Sequence, residues 1–111
     1  MNAVADILER AADRLSKPRA WTQGELARDA SGQRTEPQGS DAVCWCMSGA
    51  LMAEIPIGGG GLFGSAIDAL EIVLPGNRLV PLYNDRKSRR QSQVVAKLRE
   101  AAAKAREQSH G

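Results

Sequence analysis

The spacing of apolar residues predicts an amphipathic helix at the start of the chain. Between residues 3 and 15 the apolar side chains recur every three or four positions, which places them on one face of a helix: Val4, Ile7, Leu8, Ala11, Ala12 and Leu15. Charged residues occupy the opposite face. Asn2 is suited to cap the first turn, and Ser16-Lys17-Pro18 ends the pattern. We expect this helix to pack its apolar face on the core.

A nearly uniform run of small, apolar and sulfur-containing residues over 42–53 predicts the buried centre of the fold. Apart from one serine and one glycine the run holds no other kind of residue, and a helix that is apolar on every side belongs in an interior. Asp41 is a suitable N-cap, and Pro56 disfavours helical geometry at Ile55. We therefore predict a central helix over 42–54.

Weaker patterns predict the remaining elements. Residues 65–68 have the spacing of a capping box before a short buried helix. Segment 79–83 is expected to be extended, at an edge or in a loop because of Pro81. A last helix is expected to start at Asp85 or Ser88, with an apolar stripe formed by Val94, Val95, Leu98, Ala101, Ala102 and Ala105.

These elements predict one mainly α domain of the α+β class, spanning 1–111. It would be a compact bundle of about four helices around the buried 42–54 helix, with at most a small β-hairpin from 21–37. Polar and glycine-rich composition predicts flexible loops at 31–40 and 56–64, and we expect a frayed tail at 108–111.

The composition favours a cytoplasmic protein. The N-terminal residues carry early acids and no basic region, so we predict no signal peptide. No apolar run approaches the ~20 residues of a membrane span, so no membrane contact is expected. Two cysteines in such a chain are expected to remain reduced thiols.

Charge is distributed unevenly along the chain. Residues 1–77 hold six basic against ten acidic side chains, whereas 78–111 hold nine against three. Four cations, Arg86, Lys87, Arg89 and Arg90, fall in the predicted first turn of the last helix, where the helix dipole disfavours positive charge. We interpret this basic face as a binding surface for a protein complex or a nucleic-acid backbone. A solvated face that only increases solubility is the alternative.

The two cysteines invite a catalytic interpretation that the rest of the sequence does not complete. A thiol such as Cys46 near a helix N-terminus could act as a nucleophile, but the one histidine, His110, lies in the predicted tail. One Cys-x-Cys and a terminal histidine also do not supply the four ligands of a zinc site. The glycine run 59–64 matches G-x-G-x-x-G without the strand that a dinucleotide site requires. We therefore favour buried structural cysteines, a flexible glycine connector and no metal or cofactor.

Five residues form a further candidate polar site at one end of the central helix: Trp21, Arg28, Asp29, Asn84 and Asp85. Turn and cap positions are the alternative explanation, since asparagine and aspartate commonly serve there.

These residues also carry a resemblance. Residues 21–24, 27–32, 45–51 and 84–85 follow the pattern W-x-Q-G, A-R-D-x-x-G, W-C-x-x-G-A-L and N-D. The pattern resembles a family of small uncharacterised bacterial and phage proteins, in which an aromatic residue precedes Asn-Asp; Tyr83 stands there here. The resemblance implies no activity. It does imply a phage-associated setting, which favours a protein that binds and modulates a host or phage complex.

Together these observations predict a small non-enzymatic binding or modulator protein of phage or mobile-element type. It would act through the basic face, as an anti-CRISPR-like inhibitor of a host defence complex. Two alternatives remain open. One is a cysteine-dependent enzyme or small-ligand binder that uses Cys46 with Asp29 or Asp85 nearby. The other is a helical scaffold or homo-oligomer in which helices 3–15 and 88–107 pair between chains.

Overall fold

Helices make up most of the structure, a computed structural model that describes residues 2–108. Within this range five α-helices, one 3-10 turn and one two-stranded sheet follow in order: α1 (Ala3–Leu15), β1 (Ala27–Arg28), β2 (Cys44–Trp45), α2 (Met47–Glu54), α3 (Leu62–Val73), the 3-10 turn Pro75–Asn77, α4 (Val80–Asn84) and α5 (Gln91–Gln108). The predicted fold class, mainly α with a small β component, is confirmed.

Helices α1 and α5 lie antiparallel and form one side of the core. The side chain of Asn2 donates to the Ala105 carbonyl at 2.9 Å, and Gln91 donates to the Leu15 carbonyl at 2.7 Å. Each helix start is thereby joined to the other helix's end. The predicted cap is confirmed, because Asn2 Oδ1 accepts from the Ala5 N–H at 3.0 Å.

Helix α2 is the buried helix of the fold, but it begins at Met47 and not at residue 42. Residues 47–51 are all buried. The preceding Cys44–Trp45 is extended and pairs antiparallel with Ala27–Arg28. Asp41 does not cap the helix, because its carboxylate accepts from the Thr35 hydroxyl instead. The cap is Cys46, whose sulfur accepts from the Gly49 N–H at 3.3 Å.

The predicted hairpin over 21–37 is only partly present. Its one internal pairing is an isolated bridge between Arg28 and Arg34. The main partner of β1 is instead the segment at Trp45, which also forms a parallel bridge with Trp21. The small sheet therefore holds the 21–28 segment against Cys44 and Trp45, the residues that lead into α2.

The remaining helix boundaries differ from prediction in three places. Helix α3 begins at Leu62, so Ser65 is not its cap, and α4 is helical where 79–83 was expected to be extended. Pro81 fits there because a proline at the start of a helix loses no intrahelical hydrogen bond. Helix α5 begins at Gln91, so the cations at 86–90 precede it and do not form its first turn.

The glycine run at 59–64 follows α2 and extends into the first turn of α3, so the element directly before it is a helix and not a strand. Mobility of this connector and of 31–40 stays a prediction, and the predicted tail beyond Gln108 lies outside the described residues. No helix within 2–108 is long and apolar enough to cross a membrane.

Candidate functional site

The side chain of Asn84 is the centre of a buried polar network. It is only 1% exposed. Its Oδ1 accepts from Trp21 Nε1 at 2.8 Å and from the Met47 N–H at 3.0 Å. Its Nδ2 donates to the Thr22 carbonyl at 3.1 Å and to Asp85 Oδ1 at 2.8 Å. A buried amide with four partners is fully satisfied, so Asn84 fixes α4 to both the 21–22 segment and the start of α2.

A second set of bonds extends this network to the residues after α4. Gln23 Nε2 donates to the carbonyls of Asn84 and Arg86, both at 2.9 Å. The Gly24 N–H donates to Asp85 Oδ1 at 3.1 Å. Gly24 has a φ of +85°, which disfavours other residues at this turn. Residues 21–24 therefore hold the backbone of residues 84–86 in place.

The structure brings together three of the five residues of the predicted polar site, namely Trp21, Asn84 and Asp85. Arg28 is one step removed, because it donates to the Thr22 hydroxyl and to the Gln23 and Gly32 carbonyls.

Asp29 belongs to a separate turn. Its carboxylate accepts from the hydroxyl and N–H of Ser31 and from the Gln33 N–H. The Ser31 hydroxyl, followed by the Gln33 N–H, lowers the pKa of Asp29. For Asp29 the turn interpretation therefore fits better than membership of the site.

The four predicted cations have two different roles. Arg89 is an anchor: its guanidinium lies 3.5 Å from the centroid of the Tyr83 ring, and its Nε donates to the Tyr83 carbonyl at 2.9 Å. Arg86, Lys87 and Arg90 are exposed and form no ion pair with any acid within residues 2–108. The sequence did not distinguish the anchor from the exposed cations, because the difference depends on the packing of Tyr83.

Three of the four cations on α5 form ion pairs in the described residues. Along α5, Lys97 pairs with Glu100, Arg99 pairs with Glu9 and Asp13, and Arg106 pairs with Asp6. Arg99 and Arg106 pair with acids of α1, whereas Lys97 pairs within α5. The unpaired cations after α4 lie close together in the chain, so their positive potentials add locally.

Two exposed leucines lie a few residues before these cations in the chain. Leu79 is 58% and Leu82 is 61% exposed, one at the cap of α4 and one within it. We call Leu79, Leu82, Arg86, Lys87 and Arg90 together the docking surface. The sequence pattern did not indicate the two leucines, because an extended segment over 79–83 has no outward helical face.

Cys46 is a buried thiol whose surroundings disfavour the thiolate. Burial raises the pKa of its thiol, and the nearby negative charge of Asp85 acts in the same direction. A raised pKa keeps the protonated form at neutral pH, whereas a nucleophilic cysteine needs the thiolate. Cys44 is half-buried, and both cysteines are free. The other partner considered for catalysis, His110, lies outside the described residues.

Iodoacetamide is expected to label Cys46 slowly in the native protein. In a Cys44→Ser variant, which leaves Cys46 as the one thiol, we expect labelling at neutral pH at least about a hundredfold slower than in the denatured chain. The pKa of the Cys46 thiol is higher in the folded than in the unfolded chain. Its contribution to the free energy of unfolding is therefore fully present at pH values below the ordinary pKa of 9.0. That stabilisation decreases as the pH rises above this value. Native labelling at the denatured rate would contradict the burial of this thiol.

Comparison with known proteins places the chain in a family context. A family model described as a family of unknown function (DUF6197) matches residues 1–104. Neither the curated proteins nor the solved structures include a match to the chain. The chemistry of the site therefore rests on the geometry described above.

Proposed function

Because this chain belongs to DUF6197, a family of unknown function, we propose its function from its own surface. It is a non-enzymatic binding protein that attaches to an acidic protein partner through the docking surface. The observation that carries this proposal is the set of three exposed cations, Arg86, Lys87 and Arg90, without an acidic partner in residues 2–108.

The backbone beneath these cations is held rigidly, which supports a role in binding. Gln23 holds the Arg86 carbonyl, Arg89 is stacked on Tyr83, and Gln93 Oε1 accepts from the Arg90 N–H at 3.0 Å. A segment that is ordered before binding loses less conformational entropy on association. A surface that served only solubility would need no such support.

An acidic protein fits this surface better than a nucleic acid does. Leu79 and Leu82 expose apolar side chains a few residues before the cations in the chain, and a protein interface commonly combines apolar side chains with charged ones. Binding of single-stranded nucleic acid commonly uses exposed aromatic rings for stacking. All four aromatic residues, which are Trp21, Trp45, Phe63 and Tyr83, are buried or half-buried. A nucleic-acid backbone is the alternative partner.

The proposal extends to the setting that the sequence motifs favour. It makes the protein a cytoplasmic modulator of phage or mobile-element type that occupies an acidic surface of a host defence complex, as an anti-CRISPR-like inhibitor would. The motif residues support this assignment indirectly. Trp21, Gln23, Gly24, Asn84 and Asp85 all contribute to the network that positions the docking surface.

Charge reversal tests the docking surface. The triple variant Arg86→Glu, Lys87→Glu and Arg90→Glu is expected to bind a fluorescent polyglutamate peptide at least about tenfold more weakly than the wild type, measured by anisotropy. The matched control is Arg19→Glu, Arg34→Glu and Lys104→Glu, because those three cations are also exposed and form no ion pair among the described residues.

The control triple changes the net charge equally and should lose no more than about twofold. Equal losses in the two triples would mean that net charge alone controls binding, and the surface assignment would be wrong. A DNA duplex of the same charge serves as the competing probe. Tighter binding of the duplex than of the peptide would favour the nucleic-acid alternative.

A further inference from the structure

A small pocket opens beside the Asn84 network. Its volume is about 200 Å³. Three parts of the chain line it: residues 24–26, the start of α2 at Cys46 and Ser48, and α4 with its C-cap at Pro81, Asn84 and Asp85. The walls of the pocket are fixed, because Gly49 lies directly against the Leu26 carbonyl, where a Cβ would come within 1.9 Å of the oxygen.

The hydroxyl of Ser48 is an unpartnered polar group in this pocket. Ser48 is only 8% exposed, and its hydroxyl forms no hydrogen bond with any residue of 2–108. In the same range, every buried side-chain oxygen or nitrogen that is closed off from solvent has a hydrogen-bond partner. The Ser48 hydroxyl is therefore not fully closed off from solvent, and Ser48 is one of the residues that line the pocket. A buried hydroxyl that opens into a cavity is available to a ligand.

The charged groups of the pocket are acidic. The carboxylates of Glu25 and Asp85 line it, no lysine or arginine does, and neither acid forms an ion pair within the described residues. An Asp85 oxygen is already fixed by the Gly24 N–H and the Asn84 amide, so the carboxylate has a defined orientation.

The start of α2 does not offer an anion site here. The Met47 N–H is bonded to Asn84 Oδ1, and the Gly49 N–H is bonded to the Cys46 sulfur. With these donors occupied and two carboxylates facing the space, the pocket favours a cation with hydrogen-bond donors. The side chains of Leu26 and Pro81 add apolar wall suited to a short hydrocarbon stem.

We propose that this pocket binds a protonated primary amine on an aliphatic chain. The ammonium group donates to the Ser48 hydroxyl and to the carboxylates of Asp85 and Glu25, and the methylene stem lies along Leu26 and Pro81. The ligand is either a free alkylamine or a lysine side chain of another protein. The pocket is distinct from the docking surface, and this inference does not depend on the proposed function.

An NMR titration tests the pocket with defined probes. Addition of n-pentylammonium to isotope-labelled protein is expected to give saturable shifts of the Gly24, Ser48 and Gly49 amide signals. The neutral isostere 1-pentanol and the anion hexanoate, which carries the same pentyl chain, should bind at least about tenfold more weakly. Nα-acetyl-lysine amide distinguishes the two sources: tighter binding than pentylammonium indicates a lysine side chain, and weaker binding indicates a free amine.

Two variants keep this proposal open to refutation. Ser48→Ala and Glu25→Gln are each expected to weaken pentylammonium binding about tenfold. Asp68→Asn, which removes an exposed acid of α3 away from the pocket, should have no effect. Equal binding of the alcohol, no saturable shift in the folded wild type, or an equal loss in the Asp68 variant would each overturn the amine site.

Discussion

Substitution of Gly49 by alanine is expected to destabilise the fold by about 3 kcal/mol or more. A Cβ at this position would lie 1.9 Å from the Leu26 carbonyl oxygen and 2.8 Å from its carbon. These are backbone atoms, and the same oxygen also accepts from the Cys46 N–H at 3.1 Å. Relief of the clash would therefore require α2 to move away from the 26–28 segment. The change in the free energy of unfolding can be measured by urea denaturation.

Gly64→Ala is the matched control for this substitution. Gly64 is also helical, within α3, and a Cβ there meets nothing within 4 Å. Alanine at an open helical position favours the helix, so we expect a gain of up to about 1 kcal/mol. Similar stabilities for the Gly49 and Gly64 variants would contradict the close packing of α2 on Leu26.

Substitution of Asn84 by alanine is expected to cost about 3–5 kcal/mol of unfolding free energy. The substitution leaves a cavity, because the Asn84 side chain is only 1% exposed. It also leaves three polar groups without their hydrogen-bond partner. These groups are the Trp21 indole N–H, the Met47 N–H and the Thr22 carbonyl. Denaturant unfolding monitored by tryptophan fluorescence measures the change.

A double-mutant cycle separates the Trp21–Asn84 bond from the rest of the network. Trp21→Phe removes one donor and leaves the other bonds of Asn84 in place, so it should cost about 1–2 kcal/mol alone. In the Asn84→Ala background the same change should cost clearly less, since the bond is already absent. Strict additivity of the two substitutions would show that the indole and the amide do not interact.

The sequence predicted the outer helices well because their apolar residues follow a helical period. That period identified α1 and most of α5 together with their buried faces. The start of α2 was not predictable in the same way. Where every residue over 42–53 is small or apolar, an extended segment and a helix have the same pattern. Trp45 and Cys46 are extended because they pair with the 20–28 segment, which is a tertiary interaction.

The candidate site was predictable in its members but not in its arrangement. Trp21 and Asn84 are 63 residues apart, and only the fold brings the indole to the amide. The sequence suggested Asp29 for the same site, but its carboxylate accepts hydrogen bonds from Ser31 and Gln33 within a local turn. Among the four clustered cations, Arg89 is set apart by its stacking on Tyr83, whose ring position depends on the packing of α4.

Site-specific photo-cross-linking tests the docking surface most directly. Ser88 is exposed, uncharged and lies in the chain between Lys87 and Arg90, whereas Ser65 is exposed on α3. A photoreactive amino acid at position 88, used in lysate of the cells that produce the protein, should give an adduct of one discrete mass that contains an acidic protein. The same adduct should be lost when Arg86, Lys87 and Arg90 are changed to glutamate, and it should not form from position 65. Equal adducts from both positions, or an adduct that survives the charge reversal, would contradict a binding function of this surface.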